Sequence, residues 1–203
     1  NINTEIGDML ITQISGINEL RRETIQELEE KIRQTFIRKP RKIVEEKEII
    51  SKQSISAPRV NVCLNSMSET LEYSKLQGID NIYIPLRFFT APKLKKQVKE
   101  ITENFNTYLL MPAISKSNYE KINIEAILKE YKIDGVVISN ISQLETFKNL
   151  KTIANYTMNV MNNHSIKELE DLGIERYTVS PETDKNTILS LNGNIEKELI
   201  VYG

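Results

Sequence analysis

The sequence contains very few of the residues that build disulfide frameworks and soft-metal sites. Among its 203 residues there is one cysteine, one histidine and no tryptophan. The single thiol, Cys63, excludes an internal disulfide framework and is typical of a protein from a reducing cytoplasm. Structural zinc sites take about four Cys or His ligands. We therefore expect no metal site and no cofactor held by this chain alone.

Charge and hydropathy limit the possible partners. The formal net charge of −1 argues against an affinity of the whole surface for nucleic acid, although a local basic patch remains possible. No run approaches the ~18 apolar residues that a membrane span needs. We therefore predict a cytoplasmic protein that has no membrane partner.

Residues 1–37 are predicted to form a helical arm. From Ser15 onward, apolar and small residues recur at steps of three and four, which places them on one face of a helix. These residues are Ile17, Leu20, Thr24, Leu28, Ile32 and Phe36. Pro40 is predicted to end the helix. Such a face must pack on something, either the rest of the protein or a partner.

Residues 38–58 are predicted to form a basic connector. Arg38, Lys39, Arg41 and Lys42 stand close together there. A cluster of this kind can bind RNA phosphates, although short basic linkers are often simply solvated. The four residues are our candidates for RNA contact.

From Arg59 to Gly203, short β-rich runs alternate with helical segments, which predicts βα units and a parallel sheet. The predicted strands are Val60–Leu64, Ile82–Leu86, Thr107–Met111, Gly135–Ser139, Ile153–Met158, Arg176–Val179 and Leu199–Tyr202. The predicted helices are Ser68–Gln77, Pro92–Asn104, Ile122–Tyr131, Ser142–Lys148, Ser165–Leu172 and Pro181–Leu191. The fold class is therefore α/β, with a TIM-barrel-like parallel sheet of about seven strands behind a long helix. A closed barrel has eight strands. We expect an incomplete domain, truncated at its C-terminus, although an open sheet is the alternative.

Three segments of the chain repeat one local pattern. Gly78, Gly135 and Gly173 each come before a β-rich run, where a preceding helix should end, so we predict left-handed backbone at all three. Helix starts carry a second pattern, a polar residue followed three positions later by Glu or Gln, which is typical of a capping box. The pairs are Ser66 with Glu69, Asn140 with Gln143, and Ser165 with Glu168.

Candidate site residues follow the predicted strands, because a parallel βα sheet binds ligands at the carboxyl ends of its strands. They are Asn65, Ser66, Arg87, Pro112, Asn140, Asn159, Asn162, Ser180, Glu182 and Tyr202. Arg87 could grip a carboxylate or phosphate in a bidentate manner, or pair with a loop carboxylate. The candidates for substrate binding are Arg87, Asn140, Asn159 and Asn162.

Catalytic residues are harder to identify. Glu182 could act as a general acid or base, or simply favour the start of a helix, and Ser180 is a second weak candidate. Asn159 should face the sheet interior with Asn155, where it either joins a structural network or contacts a ligand. His164 lacks the spacing of a triad, and we expect Cys63 to be buried and inert. We find no Gly-rich phosphate loop, no HExxH and no GxSxG.

Two long segments resemble a known family. ISGINELRRETIQELEEK (Ile14–Lys31) is similar to the N-x-L-R-R-E helix of the collagenase-like insert in long bacterial members of the collagenase-like peptidase family numbered thirty-two, whose catalytic type is unassigned. ANYTMNVMNNHSIKELEDLGIERYTVSPE (Ala154–Glu182) resembles the family's D-or-N-Y-x-x-N-x-x-N strand and loop, followed by L-G-x-x-R-x-x-x-S-x-E-L. Here the final E-L is Glu182-Thr183. ISNISQLE (Ile138–Glu145) also fits, and IVYG (Ile200–Gly203) resembles the family's V-x-G strand.

The resemblance implies a function that the residues alone do not give. It implies the C-terminal part of a long bacterial peptidase-family protein, including the end of the collagenase-like insert. It also implies that the parent protein binds an iron–sulfur cluster through cysteines that follow the V-x-G strand, beyond Gly203. The family label is protease. Relatives, however, take part in oxygen-independent hydroxylation of tRNA or rRNA pyrimidines, or of quinone precursors.

A serine, cysteine or metal protease needs an activated nucleophile or a metal-bound water, and the sequence has neither constellation. We therefore expect this piece alone to be inactive. The alternative is a non-catalytic scaffold, or the RNA-docking half of a two-barrel protein. The expected partners are the rest of the same polypeptide, with the barrel closure and an N-terminal barrel, and RNA.

Overall fold

The computed structural model describes residues 13–38, 57–116 and 121–203. The chain divides into two compact units, Asn1–Lys47 and Glu48–Gly203, and each is considered by itself. In the first unit, helix α1 covers Ile14–Thr35, which confirms the predicted helix. Glu27 and Lys31 form an ion pair of 2.7 Å one turn apart. None of the residues in α1 is buried.

The second unit contains seven parallel strands in sequential order, as predicted. Their bounds are Asn61–Cys63 (β1), Asn81–Pro85 (β2), Asn106–Leu110 (β3), Gly135–Ile138 (β4), Lys151–Ala154 (β5), Arg176–Thr178 (β6) and Glu196–Glu198 (β7). Every neighbouring pair is parallel. Sequential parallel pairing is the strand order of a βα barrel rather than of a doubly wound sheet.

Helices lie between the strands. The α-helices of this unit include Leu86–Phe89 (α2), Lys95–Asn104 (α3), Ile124–Glu130 (α4), Leu144–Phe147 (α5), Asn163–Asp171 (α6) and Lys185–Ser190 (α7). Single 3₁₀ turns cover Tyr73–Lys75, Pro92–Leu94, Ile141–Gln143 and Tyr156–Met158. The main core lies between the helices and one face of the sheet. Ile84, Val98, Leu109, Ile138 and Ile166 belong to this core and are fully buried.

The sheet curls so that its first and last strands approach one another. In a flat sheet, β2 and β7 would lie five strand spacings apart, or about 24 Å. Instead, the hydroxyl of Tyr83 in β2 is 3.0 Å from Glu198 Oε1 in β7. Within the described ranges β1 and β7 form no ladder with each other, so the curled sheet is an open, incomplete barrel.

A second, smaller core lies on the concave face of the sheet, which we call the inner face. It contains Tyr83, Tyr108, Val137 and Ile153, with Leu110 packed against them. The rings of Tyr83 and Tyr108 meet edge to face, with centroids 5.7 Å apart. The inner face is therefore apolar and aromatic at its centre.

The three glycines of the repeated pattern do not have the same role. Gly78 and Gly173 have φ values of 72° and 78°, which confirms the left-handed backbone predicted for them. The prediction for Gly135 is wrong, because it is the first residue of β4 and has no positive φ. A Cβ at Gly135 would lie 2.5 Å from the carbonyl oxygen of Lys151 and 2.6 Å from the Tyr108 ring. This glycine is needed for close approach rather than for a turn.

Two predicted elements are wrong. Ser68–Gln77 contains only the short 3₁₀ turn, because Tyr73 anchors this segment by accepting a hydrogen bond from the Ser68 amide. The last strand is Glu196–Glu198 rather than Leu199–Tyr202. Val201 and Tyr202 are more than nine-tenths exposed, while the charged strand before them has partners for its side chains. Among the described helices, none has the length and hydropathy to cross a membrane.

Candidate functional site

The structure brings a charged cluster together on the inner face, at the gap between β7 and β1. Side chains alternate along β7, so Glu196 and Glu198 share one face and Lys197 takes the other. Lys197 Nζ donates to the carbonyl oxygens of Ile188 and Leu191 at 2.7 and 3.2 Å, at the end of α7. Partial desolvation of its ammonium group lowers the pKa of Lys197. The two carboxylates are thereby directed toward the strands across the gap.

Glu198 collects hydrogen bonds from three strands. Its Oε1 accepts from Asn61 Nδ2 at 2.6 Å and from the Tyr83 hydroxyl at 3.0 Å, and its Oε2 accepts from Thr178 Oγ1 at 3.0 Å. Asn61 Oδ1 in turn accepts from Asn81 Nδ2 at 2.6 Å. One carboxylate therefore joins β7 and β6 to β1 and β2.

Arg176 is the buried cation of the cluster, with its side chain only 10% exposed. Its Nε donates to Glu196 Oε2 at 2.9 Å, and one of its terminal nitrogens donates to the Tyr83 hydroxyl at 3.1 Å. Arg59 also pairs with Glu196. Two arginines and two glutamates therefore balance within the cluster, and the buried guanidinium has the partner that its desolvation requires.

Tyr83 is the centre of this arrangement, since its hydroxyl accepts from Arg176 and donates to Glu198. Burial, and then the negative charge of Glu198, raise the pKa of Tyr83 well above its ordinary value. The phenol is therefore neutral at physiological pH. Because it keeps its proton, it can donate to the carboxylate while accepting from the guanidinium.

Cys63 ends β1 on the same side of the strand as Asn61. It is exposed, so the prediction of a buried cysteine is wrong. Partial desolvation raises the pKa of the Cys63 thiol. The positive charge of Arg87 acts to lower this pKa, and the negative charge of Glu198 acts to raise it. The thiol is therefore not an activated thiolate.

The predicted rim residues follow the strands, and several of them hold the backbone in place. Arg87 is exposed, donates to the carbonyl oxygen of Asn65 at 2.8 Å and lies 4.6 Å from the centroid of the Phe88 ring. The carbonyl oxygen of Pro112 accepts from Gln143 Nε2 at 2.8 Å. Ser66 is exposed. Arg87 thus joins the loop after β1 to the residues after β2, and its predicted role in substrate binding stays a prediction.

Two of the candidate asparagines cap helices. Asn140 caps the 3₁₀ turn Ile141–Gln143 in a capping box with Gln143, which confirms that predicted cap. The cap of α6 is Asn162, because its Oδ1 accepts from the Ser165 amide at 2.9 Å. The predicted cap at Ser165 is therefore misplaced by one turn. The Ser66 box has no helix to cap.

Replacing Asn162 with alanine should lower the free energy of unfolding by about 1 kcal/mol, because the first turn of α6 loses its acceptor. Urea unfolding followed by circular dichroism measures the change. Ser165→Ala is the matched control. It removes only the contact between Ser165 Oγ and Asn162 Oδ1, which is 3.2 Å long, and should cost less. Equal stability of Asn162→Ala and the wild type would show that the cap contributes nothing.

Asn159 does not extend β5 toward the inner face. Strand β5 ends at Ala154, a 3₁₀ turn follows, and Asn159 is exposed with φ 52° and ψ 49°. Asparagine tolerates this left-handed conformation better than most residues. The prediction that Asn159 faces the interior with Asn155 is therefore wrong, because the strand is shorter than its period-two pattern indicated.

Ser180 and Glu182 follow β6 but differ in burial. Ser180 is buried, its amide donates to the Val160 carbonyl oxygen at 3.2 Å, and its hydroxyl accepts from the Glu182 amide at 3.4 Å. Glu182 is exposed and precedes α7, whose cap is Asp184, so the predicted place in a first helical turn is wrong. The contact with Val160 joins the loop of Asn159 and Asn162 to the loop of Ser180.

The remaining predicted residues are exposed or lie outside the described part of the chain. His164 is exposed in α6, and Tyr202 is almost fully exposed. Arg38 is exposed just after α1, whereas Lys39, Arg41 and Lys42 lie outside the described residues.

Sequence reasoning missed one further network at the ends of β4 and β5. Ser139 is buried and donates through its hydroxyl to the Met111 carbonyl oxygen at 2.7 Å. Asn155 Nδ2 donates to Ser139 Oγ at 2.8 Å, and Thr157 Oγ1 donates to the Ser139 carbonyl oxygen at 2.8 Å. The feature of the sequence that could have predicted this network is the run of polar residues directly after an apolar strand. These contacts fix the start of the loop that carries Asn159 and Asn162.

The donor set of this chain does not fit the iron–sulfur cluster that the family resemblance implies. Such clusters take about four cysteine thiolates, and the chain has one cysteine, whose thiol pKa is raised. The described residues include no group of three or more His, Cys, Asp or Glu placed to hold a metal ion. Any cluster would need ligands from elsewhere.

Comparison of the chain with protein-family models, with curated proteins and with solved structures found no match.

Proposed function

We propose that the chain is part of a collagenase-like peptidase family member, and that its parent protein carries out oxygen-independent hydroxylation of pyrimidines in tRNA or rRNA. In this proposal the open barrel supplies one wall of the substrate site, in a cytoplasmic protein. One observation carries the proposal most directly. The segment with the fullest family signature, Ala154–Glu182, runs from the end of β5 through α6 to the loop after β6. Adjacent carboxyl ends of parallel strands are where βα barrels bind their substrates.

The geometry gives less support to peptide hydrolysis. A serine nucleophile needs a base within about 2.6–3.2 Å of its hydroxyl. Among the described residues, the hydroxyl of Ser180 contacts the Glu182 amide at 3.4 Å, and Ser180 itself is buried. Glu182 is exposed, whereas the general acids and bases of enzymes usually work in a desolvated site. We therefore favour hydroxylation over proteolysis.

The residues of this chain would bind and orient the substrate rather than transform it. Asn159 and Asn162 stand in one loop, next to the loop of Ser180 and Glu182, and asparagine amides can both donate to and accept from a pyrimidine edge. Arg87 would supply a cation to a phosphate. The iron–sulfur cluster would be held by cysteines outside this chain, and we assign it no step here.

The basic connector is our proposal for RNA contact. Arg38, Lys39, Arg41 and Lys42 would neutralise backbone phosphates, so charge reversal of all four should weaken RNA binding and flatten its salt dependence. The matched control reverses the charge of four lysines and arginines that lie on α1 and α3, outside the connector. If the connector variant and the wild type bind RNA equally well and with the same salt dependence, the connector does not contact RNA.

The proposed function is tested with the full-length protein that contains this sequence. Deleting its gene should remove one hydroxylated pyrimidine from tRNA or rRNA, detected by nucleoside mass spectrometry, and the wild-type gene should restore it. The apoprotein should leave gelatin intact. Unchanged nucleosides together with gelatin cleavage would contradict the proposal and favour the peptidase. Unchanged nucleosides without cleavage would favour the scaffold.

A further inference from the structure

We propose that β7 is a strap that opens by local unfolding, and that Glu198 is the latch that holds it closed. The strap lies over the gap in the barrel, and its opening would uncover the inner face. This inference uses only the geometry of the sheet, so it stands or falls independently of the proposed hydroxylation.

None of the three residues of the strap is apolar, so burial of its own side chains does not hold it in place. All five residues of β2 are buried, whereas Glu196 and Lys197 are exposed and Glu198 is only half-buried. The residues beyond the strap are exposed as well, with Val201 at 93%. Segments with few buried apolar contacts are the ones that open at low free energy, below that of global unfolding.

Within the described part of the chain, the backbone attaches the strap on one side. Strand β7 pairs with β6 over three residues, and the flanking bonds include the Val179 amide to the Glu198 carbonyl oxygen at 2.9 Å and the Glu196 amide to the Glu175 carbonyl oxygen at 3.1 Å. Among the described residues, no strand pairs with the other edge of β7. On that side the strap depends on side chains.

Glu198 carries most of these side-chain contacts. It accepts hydrogen bonds from the Asn61 side-chain amide and the Tyr83 hydroxyl across the gap, and from the Thr178 hydroxyl of β6. Glu196 pairs with Arg59 and Arg176. If Glu198 is replaced by a neutral residue without an acceptor, Tyr83 and Asn61 lose their hydrogen-bond partner. The cluster then has an excess of positive charge. Hydrogen bonds to a charged group are stronger than neutral ones, so this single residue should control the opening.

The strap covers the inner-face core, so its opening would expose that core. The Tyr83 ring belongs to the inner-face core with Tyr108, Val137 and Ile153, and both tyrosines are buried. Breaking the Tyr83–Glu198 and Asn61–Glu198 contacts removes the bridge over this core. The inner face then becomes accessible from the side of the gap between β7 and β1.

Hydrogen exchange of the backbone amides, measured by mass spectrometry on the whole chain, tests the latch. In Glu198→Ala, the amides that join β6 to β7, those of Val179 and Glu196, should exchange about tenfold faster. The amide of Met111, which bonds to Val137 between β3 and β4, should not change. Glu198→Gln keeps one acceptor oxygen and should give an intermediate rate. Glu168→Gln, on the exposed face of α6, is the matched control and should match the wild type.

Two results would overturn the proposal. Unchanged exchange at Val179 and Glu196 in both Glu198 variants would show that Glu198 does not control the strap. Equal acceleration at Met111 would show that the whole domain is destabilised instead of opening locally. The Gln variant retains the size of the side chain, so it provides a test if the Ala variant does not fold.

Discussion

Replacing Gly135 with alanine should lower the free energy of unfolding by about 3 kcal/mol, one of the largest effects expected in this protein. The added Cβ would meet the Lys151 carbonyl oxygen at 2.5 Å, and this atom belongs to the backbone of β5. A second clash, at 2.6 Å, is with the buried Tyr108 ring. Overpacking in a well-packed interior costs about 1–3 kcal/mol, and here a central strand would have to move. Urea unfolding measures the change.

Gly16→Ala is the matched control for this substitution. Gly16 lies in α1 and has no atom within 4 Å of an added Cβ, so the same chemical change should stabilise the helix by about 1 kcal/mol. If Gly135→Ala unfolds at the same urea concentration as the wild type, the close approach of β4, β5 and Tyr108 is not as described.

Replacing Arg176 with alanine should lower the free energy of unfolding by about 2 kcal/mol. The substitution leaves Glu196 without its buried partner and the Tyr83 hydroxyl without a donor. Removing one partner of a buried pair costs about 3–5 kcal/mol. Because Glu196 is half exposed, at 51%, water can solvate the carboxylate that remains, and the loss should be smaller.

Lys148→Ala is the control for Arg176→Ala. Lys148 pairs with Glu145 at 2.6 Å on the surface, and both side chains are more than 60% exposed. Exposed pairs of this kind contribute about 0–1 kcal/mol. A loss for Arg176→Ala no larger than that for Lys148→Ala would mean that the inner-face cluster does not stabilise the fold.

Much of the fold could be predicted from the sequence because the central strands carry a strong local signal. Ile82 and Ile84 lie in one β-rich run, and Val136 to Ile138 form another, each followed by a helical pattern. Strand β7 could not be found in this way. Its sequence, Glu-Lys-Glu, has no apolar period, and its side chains bind residues such as Asn61 and Tyr83 that are more than 100 positions away.

The candidate site was predicted only in part, for a related reason. Positions at strand ends can be read from the sequence, and Asn162 and Ser180 do lie in adjacent loops. Their local roles cannot be read as easily, since the same residue types cap helices and bind ligands. Arg176 was not selected, although a lone arginine inside a buried strand must find a partner. Its charged partner, Glu196, lies opposite it on β7, which was not recognised as a strand, and the curl of the sheet adds the Tyr83 hydroxyl.

The sheet curls until β6 and β7 meet β2 across the inner face. A double-mutant cycle between Arg176→Ala and Tyr83→Phe, measured by urea unfolding, tests this curl. The guanidinium nitrogen and the Tyr83 hydroxyl are 3.1 Å apart, so the two losses should be coupled by about 1 kcal/mol. In a flat sheet β2 and β6 would lie about 19 Å apart. Additive losses, within about 0.3–0.5 kcal/mol, would contradict the curled sheet.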